Sequence, residues 1–276
     1  MLNSYLFIPA NRPTFFSAIS QHKADYYIID FEESVAEADV NTAFDSLAFD
    51  TGIPDNVYVR PFFSVSEQGV DTSFFERLLE YGFRKFVIPK IERVEHAKHI
   101  AFACGKYIDE VSCMFLVESP VCLYSLSHII QFSELPITAL ILGSHDFALQ
   151  MGMEHSQSTL EYAHMQVLHT ARAFGLACID SVCMDIVGAH EFEHECRRAV
   201  SFGYDGKCIV HPKQIEVMHA IQYFSQKEVQ DALAVQEYAQ KHPDFSVIKM
   251  HGRIYEKPHM KRINTIINWY TQYGSK

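Results

Sequence analysis

The chain has 276 residues, 48% of them hydrophobic, and 23 Lys plus Arg against 34 Asp plus Glu give a formal net charge of −11. That length carries one large domain or two small ones with an ample core. The acidic balance argues against a nucleic-acid or anionic-membrane binder, and a small anionic substrate would need a local cation or Arg to hold it.

Seven cysteines (Cys104, Cys113, Cys122, Cys178, Cys183, Cys196 and Cys208) include no Cys-x-x-Cys pair. They read as reduced, packed thiols of a cytosolic protein. The opening MLNSYLFIPANRP lacks a charged region followed by a long apolar run, so no signal peptide is expected. No run of 18 apolar residues predicts a transmembrane helix.

In chain order, short runs rich in β-branched and aromatic residues predict strands at 4–8, 26–30, 57–60, 85–88, 113–117, 139–142, 176–179 and 207–210. Stretches with helical spacing lie between them. SFFERLLEYG places Phe74, Leu78 and Tyr81 on one face. STLEYAHMQVLHTARAFG does the same with Leu160, Ala163, Val167, Thr170 and Ala171, and Gly175 supplies a stop. Eight strands alternating with helices predict an α/β fold. Eight units in roughly 220 residues fit a closed (β/α)8 TIM barrel, which takes about 250. A doubly wound sheet would carry a Gly-rich turn after its first strand, and PANRP has no Gly.

The predicted division is a catalytic barrel over 1–222 and a C-terminal helical extension over 223–276. The extension holds one helix in SQKEVQDALAVQEYAQKH and another after Pro258. The apolar face of that last helix, with Ile263, Ile266, Ile267 and Tyr270, needs a partner. The barrel or a neighbouring subunit would cover it, so self-association is expected.

Such a barrel gathers its strand ends into one mouth, where chemistry sits. In order the ends carry Asn11 and Arg12; Asp30, Glu32 and Glu33; Arg60; Lys90; Glu118; Ser144, His145 and Asp146; Asp180; and His211. YYIIDFEESV ends a buried run on three carboxylates, which need counter-charge from Lys90, Arg12 or a metal-bound water. Each position alone also reads as the cap of the next helix; the coincidence across eight ends is more informative. FLVESP and LILGSHDF deliver Glu118 and Asp146 from adjacent strands with nothing forcing them into ion pairs. Two such carboxylates make a hard-oxygen site for Mg²⁺, completed by water and substrate oxygens. Arg60 has the fork to grip a substrate carboxylate or carbonyl bidentately.

Other polar residues read more blandly. His211 marks a strand–helix boundary with Pro212 in the first turn. Lys90 pairs with the acids near Asp30 and Glu32 rather than serving as a Schiff-base amine. HEFEH, 190–194, fits the zinc-protease pattern His-Glu-x-x-His. A helix that buries Phe192, Cys196, Ala199 and Val200 turns His190 and His194 towards solvent.

SYLFIPANRP, IIDFEESV, Arg60, FVIPKIE, LVESP, LGSHDFA, AFGLACIDSV and GYDGKCIVHPKQI follow one another along almost the whole chain. Together they resemble the citrate lyase β-subunit-like branch of the HpcH/HpaI aldolase superfamily. The resemblance implies a TIM barrel assembled as a homotrimer or hexamer, with Mg²⁺ on Glu118 and Asp146 and Arg60 on the substrate. It implies a carbon–carbon lyase acting beside the carbonyl of a small carboxylic or oxo-acid, often with an acyl-CoA thioester as one partner. It also implies that the segment HGRIYEKPH carries an acidic residue, Glu256, to a neighbour's active site. The expected catalytic set is Arg60, Glu256, Asp30 and Glu33. Arg12, Arg60, Lys90 and Ser144 are expected on the substrate.

Three departures stand out. Glu33 and Glu256 each replace an Asp. RPFF replaces Arg-Ile-Asn-Pro, which removes a polar group after Arg60 and brings in Phe62 or Phe63. These departures keep open two other readings of the same scaffold: an acyl-CoA thioester hydrolase, and a non-catalytic binding or regulatory relative.

Overall fold

The computed structural model describes residues 2–12, 23–47, 49, 52–66, 69–186 and 189–274. They fall into two compact units, Leu2–His219 and Ala220–Lys276.

The first unit is a closed parallel (β/α)8 barrel. Its strands are β1 (Asn3–Pro9), β2 (Tyr26–Asp30), β3 (Val57–Arg60), β4 (Lys85–Ile88), β5 (Ser112–Val117), β6 (Ile137–Leu142), β7 (Ala177–Asp180) and β8 (Gly206–Ile209). Each pairs with its sequence neighbours, and β1 closes on β8 with Asn3 opposite Gly206 and Leu6 opposite Ile209. Every predicted strand is present. The helix Gln157–Ala173 buries Leu160, Ala163, Val167 and Ala171, as its spacing predicts, and Gly175 follows at φ +70°.

Tyr5, Ile28, Tyr58, Val87, Met114, Leu116, Ala139, Ile141, Ile179 and Cys208, drawn from all eight strands, form one apolar cluster inside the barrel. Side chains alternate across a strand. Extending the parity of this cluster to the C-terminal ends puts Asp30, Arg60, Glu118, Gly143 and Ser181 on the inner side. The same parity turns Asp180 and Lys207 outwards. There the Lys207 ammonium donates to Asp180 Oδ2 at 2.9 Å and to the Ser181 carbonyl at 2.8 Å, and meets Glu195 Oε2 at 2.8 Å. Asp180 therefore leaves the set of mouth residues and belongs to a buried ion pair behind the barrel wall.

Phe63 also turns away from the mouth. It is buried, 5.8 Å from the Phe75 ring, which in turn lies 4.6 Å from Phe86. Phe62 lines a surface groove with Glu37, Asn41, Ser73 and Arg77. The position of the lost polar group is thus Phe62 in the surface groove, and Phe63 beside it packs into the wall.

The second unit holds the helix Gln226–Lys241, an antiparallel hairpin of Val247–Met250 with Arg253–Glu256, and the helix Met260–Tyr273. The last helix packs on the first, burying Ile263, Ile266, Ile267 and Trp269. Trp269 meets Phe224 edge-on at 5.5 Å. Within its own unit the last helix thus has an apolar partner for part of the face expected to need one, and Tyr270 stays exposed. Among the described residues no helix is long and apolar enough to cross a membrane. All seven cysteines are free and buried.

Candidate active site

Arg60 ends β3 and is 4% exposed. Its Nε and Nη2 donate to the two carboxylate oxygens of Asp30 at 2.7 and 2.8 Å, a bidentate pair across the β2–β3 register. Nη2 also donates to Glu33 Oε2 at 3.1 Å, and Nη1 lies 3.0 Å from Glu32 Oε2 without hydrogen-bond geometry. The three carboxylates after β2 thus converge on one guanidinium. The edge expected to grip a substrate holds Asp30 instead. Lys90 supplies the second cation, its Nζ 2.7 Å from Glu32 Oε1. Burial works against charge on Lys90, but the Glu32 partner raises its pKa above the ordinary lysine value. That protonated state disfavours a Schiff-base amine.

Glu118 follows β5 and is buried. Ser119 caps the next helix, accepting the Cys122 N–H at 3.0 Å, and Pro120 opens it. Glu118 is therefore released from capping. Its Oε1 accepts the Lys90 N–H at 2.5 Å, and its Oε2 is buried without a hydrogen-bond partner. Burial, reinforced by the nearby Glu32 and Asp146 charges, pushes this carboxyl up to about 8.

Asp146 lies in the first turn of the helix Ser144–Met151. Burial and a hydrogen bond with Glu33 push it up to about 6. Burial would also raise Glu33, but the Arg60 charge and hydrogen bond hold it below the usual range. Two carboxyls resist ionisation, and one of them carries an orphan oxygen. Such a site is short of a cation. The donor set suits Mg²⁺, which takes one or two carboxylates and keeps several water or substrate oxygens. Among the described residues no group of three or more His, Cys, Asp or Glu is placed to hold a metal ion; Glu118 and Asp146 are the raised carboxyls whose charge a cation would favour.

Arg12 is exposed in the turn after β1, its N–H donating to the Pro9 carbonyl at 3.2 Å. Ser144 is buried and bonded to His155 Nε2 at 3.0 Å, with His155 stacked on His145. These residues, Ser181, His190 and His194 line a cavity of about 450 Å³. Glu256 lies in the C-terminal unit, exposed, its N–H donating to His259 Nδ1 at 2.8 Å. His211 Nδ1 accepts the Lys213 N–H at 3.1 Å, a local boundary bond. The residue that sequence reading left out of the site is Glu32. It touches both cations and raises both Glu118 and Asp146. Its signal was the spacing of two from Asp30, which is itself on the inner side.

This arrangement can be set beside known proteins. Citrate lyase subunit beta of Escherichia coli is 26% identical over 280 residues, covering 96% of this chain and 92% of that protein. A (3S)-malyl-CoA thioesterase of Cereibacter sphaeroides is 26% identical over 269 residues, covering 93% and 90%. The CitE protein of Mycobacterium tuberculosis, solved with magnesium, acetoacetate and coenzyme A, shares the fold at TM-score 0.79 over 97% of each chain, with 22% identity. Citrate lyase beta subunit of the same organism, solved with oxaloacetate and magnesium, aligns at TM-score 0.64 and 26% identity over 79% of this chain and 95% of that one. The model described as HpcH/HpaI aldolase/citrate lyase matches residues 3–212, which span all eight strands and the whole acid cluster at their ends. The chain belongs to the HpcH/HpaI aldolase/citrate lyase family.

Proposed function

We propose that the protein is a Mg²⁺-dependent carbon–carbon lyase that cleaves or forms a bond next to the carbonyl of a small carboxylic acid or its acyl-CoA thioester, through an enolate. The observation that carries this reading is the Glu118–Asp146 pair, whose carboxyls are pushed up to about 8 and about 6 beside a guanidinium fixed by three acids. When bound, Mg²⁺ supplies a Lewis acid for charge developing on the carbonyl oxygen. Glu118 and Asp146 would hold it. Arg60, locked by Asp30, contributes a fixed positive charge that favours the same developing oxyanion. Glu33 stays ionised at neutral pH with its side chain 56% exposed, which makes it the barrel's own candidate base. Glu256 is the candidate from the C-terminal unit. Removing the true base is expected to cost about 10²–10⁴-fold in turnover.

The thioester hydrolase is the second reading, favoured by the (3S)-malyl-CoA thioesterase among the relatives. There water replaces the carbon partner at the same carbonyl. Free, buried cysteines suit a reducing, cytoplasmic compartment. Homo-oligomers belong to the same proposal; their support is the exposure of Phe102, Tyr124, Leu149 and Tyr162 on the outer helices of the barrel.

The test is a thermal-shift titration of metal-stripped protein with Mg²⁺, then Mg²⁺ plus oxaloacetate, pyruvate, glyoxylate or acetyl-CoA. A ligand specific for the folded state raises the melting point with its concentration over Kd. A rise with Mg²⁺ and one acid, lost in Asp146→Asn, supports the proposal. No response to metal or acid overturns it and leaves the non-catalytic relative. Assay of the responding compound for C–C cleavage against thioester hydrolysis separates the two enzyme readings.

A further inference from the structure

Glu118 is flanked by two backbone features that no expected role explains. On one side, after β4, Lys90 adopts φ +60°, one of three non-glycine residues with positive φ among those described. A left-handed conformation is unfavourable for a side-chain-bearing residue, and it persists where the surroundings over-determine it. Here it aims the Lys90 N–H at Glu118 Oε1, 2.5 Å away, while the ammonium of the same residue reaches Glu32 Oε1 at 2.7 Å. On the other side, after β6, Gly143 occupies an inner position without a side chain. A Cβ built there would lie 2.7 Å from Glu118 Cβ and 3.4 Å from Glu118 Cα. The Gly143 N–H is tied to the Val117 carbonyl at 2.8 Å, so the chain cannot easily step away.

We propose that Lys90 and Gly143 are positioning residues that hold Glu118 in one geometry from both sides, the first by its N–H and the second by its missing Cβ. The Oε1 oxygen is pinned by the amide, the Cβ is seated against Gly143, and Oε2 alone remains to meet a ligand. Lys90 thereby acts on the site through its backbone, and its ammonium serves Glu32. The inference rests on the metal reading above in its functional meaning, although the geometry stands without metal.

Two experiments test it. In metal-stripped protein, the Lys90 amide is expected to resonate far downfield in a proton–nitrogen spectrum and to exchange slowly, and Glu118→Ala should move it upfield. An ordinary Lys90 resonance indifferent to Glu118→Ala overturns the proposal, whether or not the protein binds Mg²⁺. Calorimetric Mg²⁺ titration then reads the consequence. Gly143→Ala is expected to weaken Mg²⁺ by about 10–100-fold, the scale of lost ligand support. Lys90→Gly keeps the amide while removing the ammonium, and the downfield amide resonance of position 90 is expected to persist in it. Unchanged affinity in Gly143→Ala, or loss of that downfield resonance in Lys90→Gly, overturns the assignment. If Gly143→Ala does not fold, the amide spectra of wild type, Glu118→Ala and Lys90→Gly decide. If wild type binds no Mg²⁺, the lyase reading fails while the amide spectrum still tests the geometry.

Discussion

Arg60→Met removes the central cation and keeps most of the side-chain length. The guanidinium is 4% exposed and meets Asp30, Glu32 and Glu33. Its loss takes the bidentate pair from Asp30 and leaves Glu32 its contact with Lys90. Breaking a buried ion pair by removing one partner costs roughly 3–5 kcal/mol, because a charge is stranded. Glu33 adds little, since its side chain is 56% exposed and such partners contribute at most about 1 kcal/mol. In a chain of this size each kcal/mol moves the melting point by roughly 2–4 °C, so a fall of roughly 6–20 °C is expected. Asp30→Asn in the same molecule removes the stranded charge and should recover part of it. Circular dichroism melts of the metal-stripped wild type, single and double variants measure all three. A single variant that melts within about 2 °C of wild type, and loses only its response to oxo-acids, would show that Arg60 is a substrate grip and not the anchor of the acid cluster.

Three further outcomes are expected. In metal-free protein the Glu118 carboxyl titrates near 8 instead of its ordinary 4.5, so the folded state keeps a proton that the unfolded chain gives up between those values. The Glu118 contribution to stability therefore falls as pH rises through that window and is constant outside it. Mg²⁺ must displace the same proton, so its affinity should climb roughly tenfold per pH unit from about 6 to about 8 and then level. A flat calorimetric profile would refute the raised carboxyl. Lys207→Met, on the outer face of β8 by strand parity, should destabilise the fold by up to roughly 3–5 kcal/mol in urea melts by taking from buried Asp180 its hydrogen-bonded cation and leaving Arg198 at 3.5 Å, while Mg²⁺ affinity holds. Equal stability would show that the buried pair contributes little.

The fold was legible because each barrel strand is a short apolar run with its own turn, and the interior takes one face of every run. The same periodicity also carried more of the site than reading each end by residue type. Counting by two from Ile28, Tyr58 and Leu116 reaches Asp30, Arg60 and Glu118, and these are the groups the structure gathers. Counting from Ile179 and Cys208 skips Asp180 and Lys207, which pair behind the wall. Residue type alone put Asp180 in the mouth. Phe63 was misplaced for the opposite reason: the loss of a polar group suggested a change in the mouth, whereas the ring packs on Phe75.

Pairing was harder to read than position. Any of three acids and three cations near the mouth could have matched, and only coordinates show that Asp30 takes the bidentate edge of Arg60 while Glu32 bridges Arg60 and Lys90. That choice bears on chemistry. An arginine held by three carboxylates is a charge fixed in place, whereas a free arginine would have to be ordered by each substrate. With the acids around Arg60 already compensated, the remaining deficit of positive charge falls on Glu118 and Asp146, where both carboxyls are raised. The acidity at the end of β2 and the proposed metal site are therefore one electrostatic system, and the cation that completes it is the one the sequence does not encode.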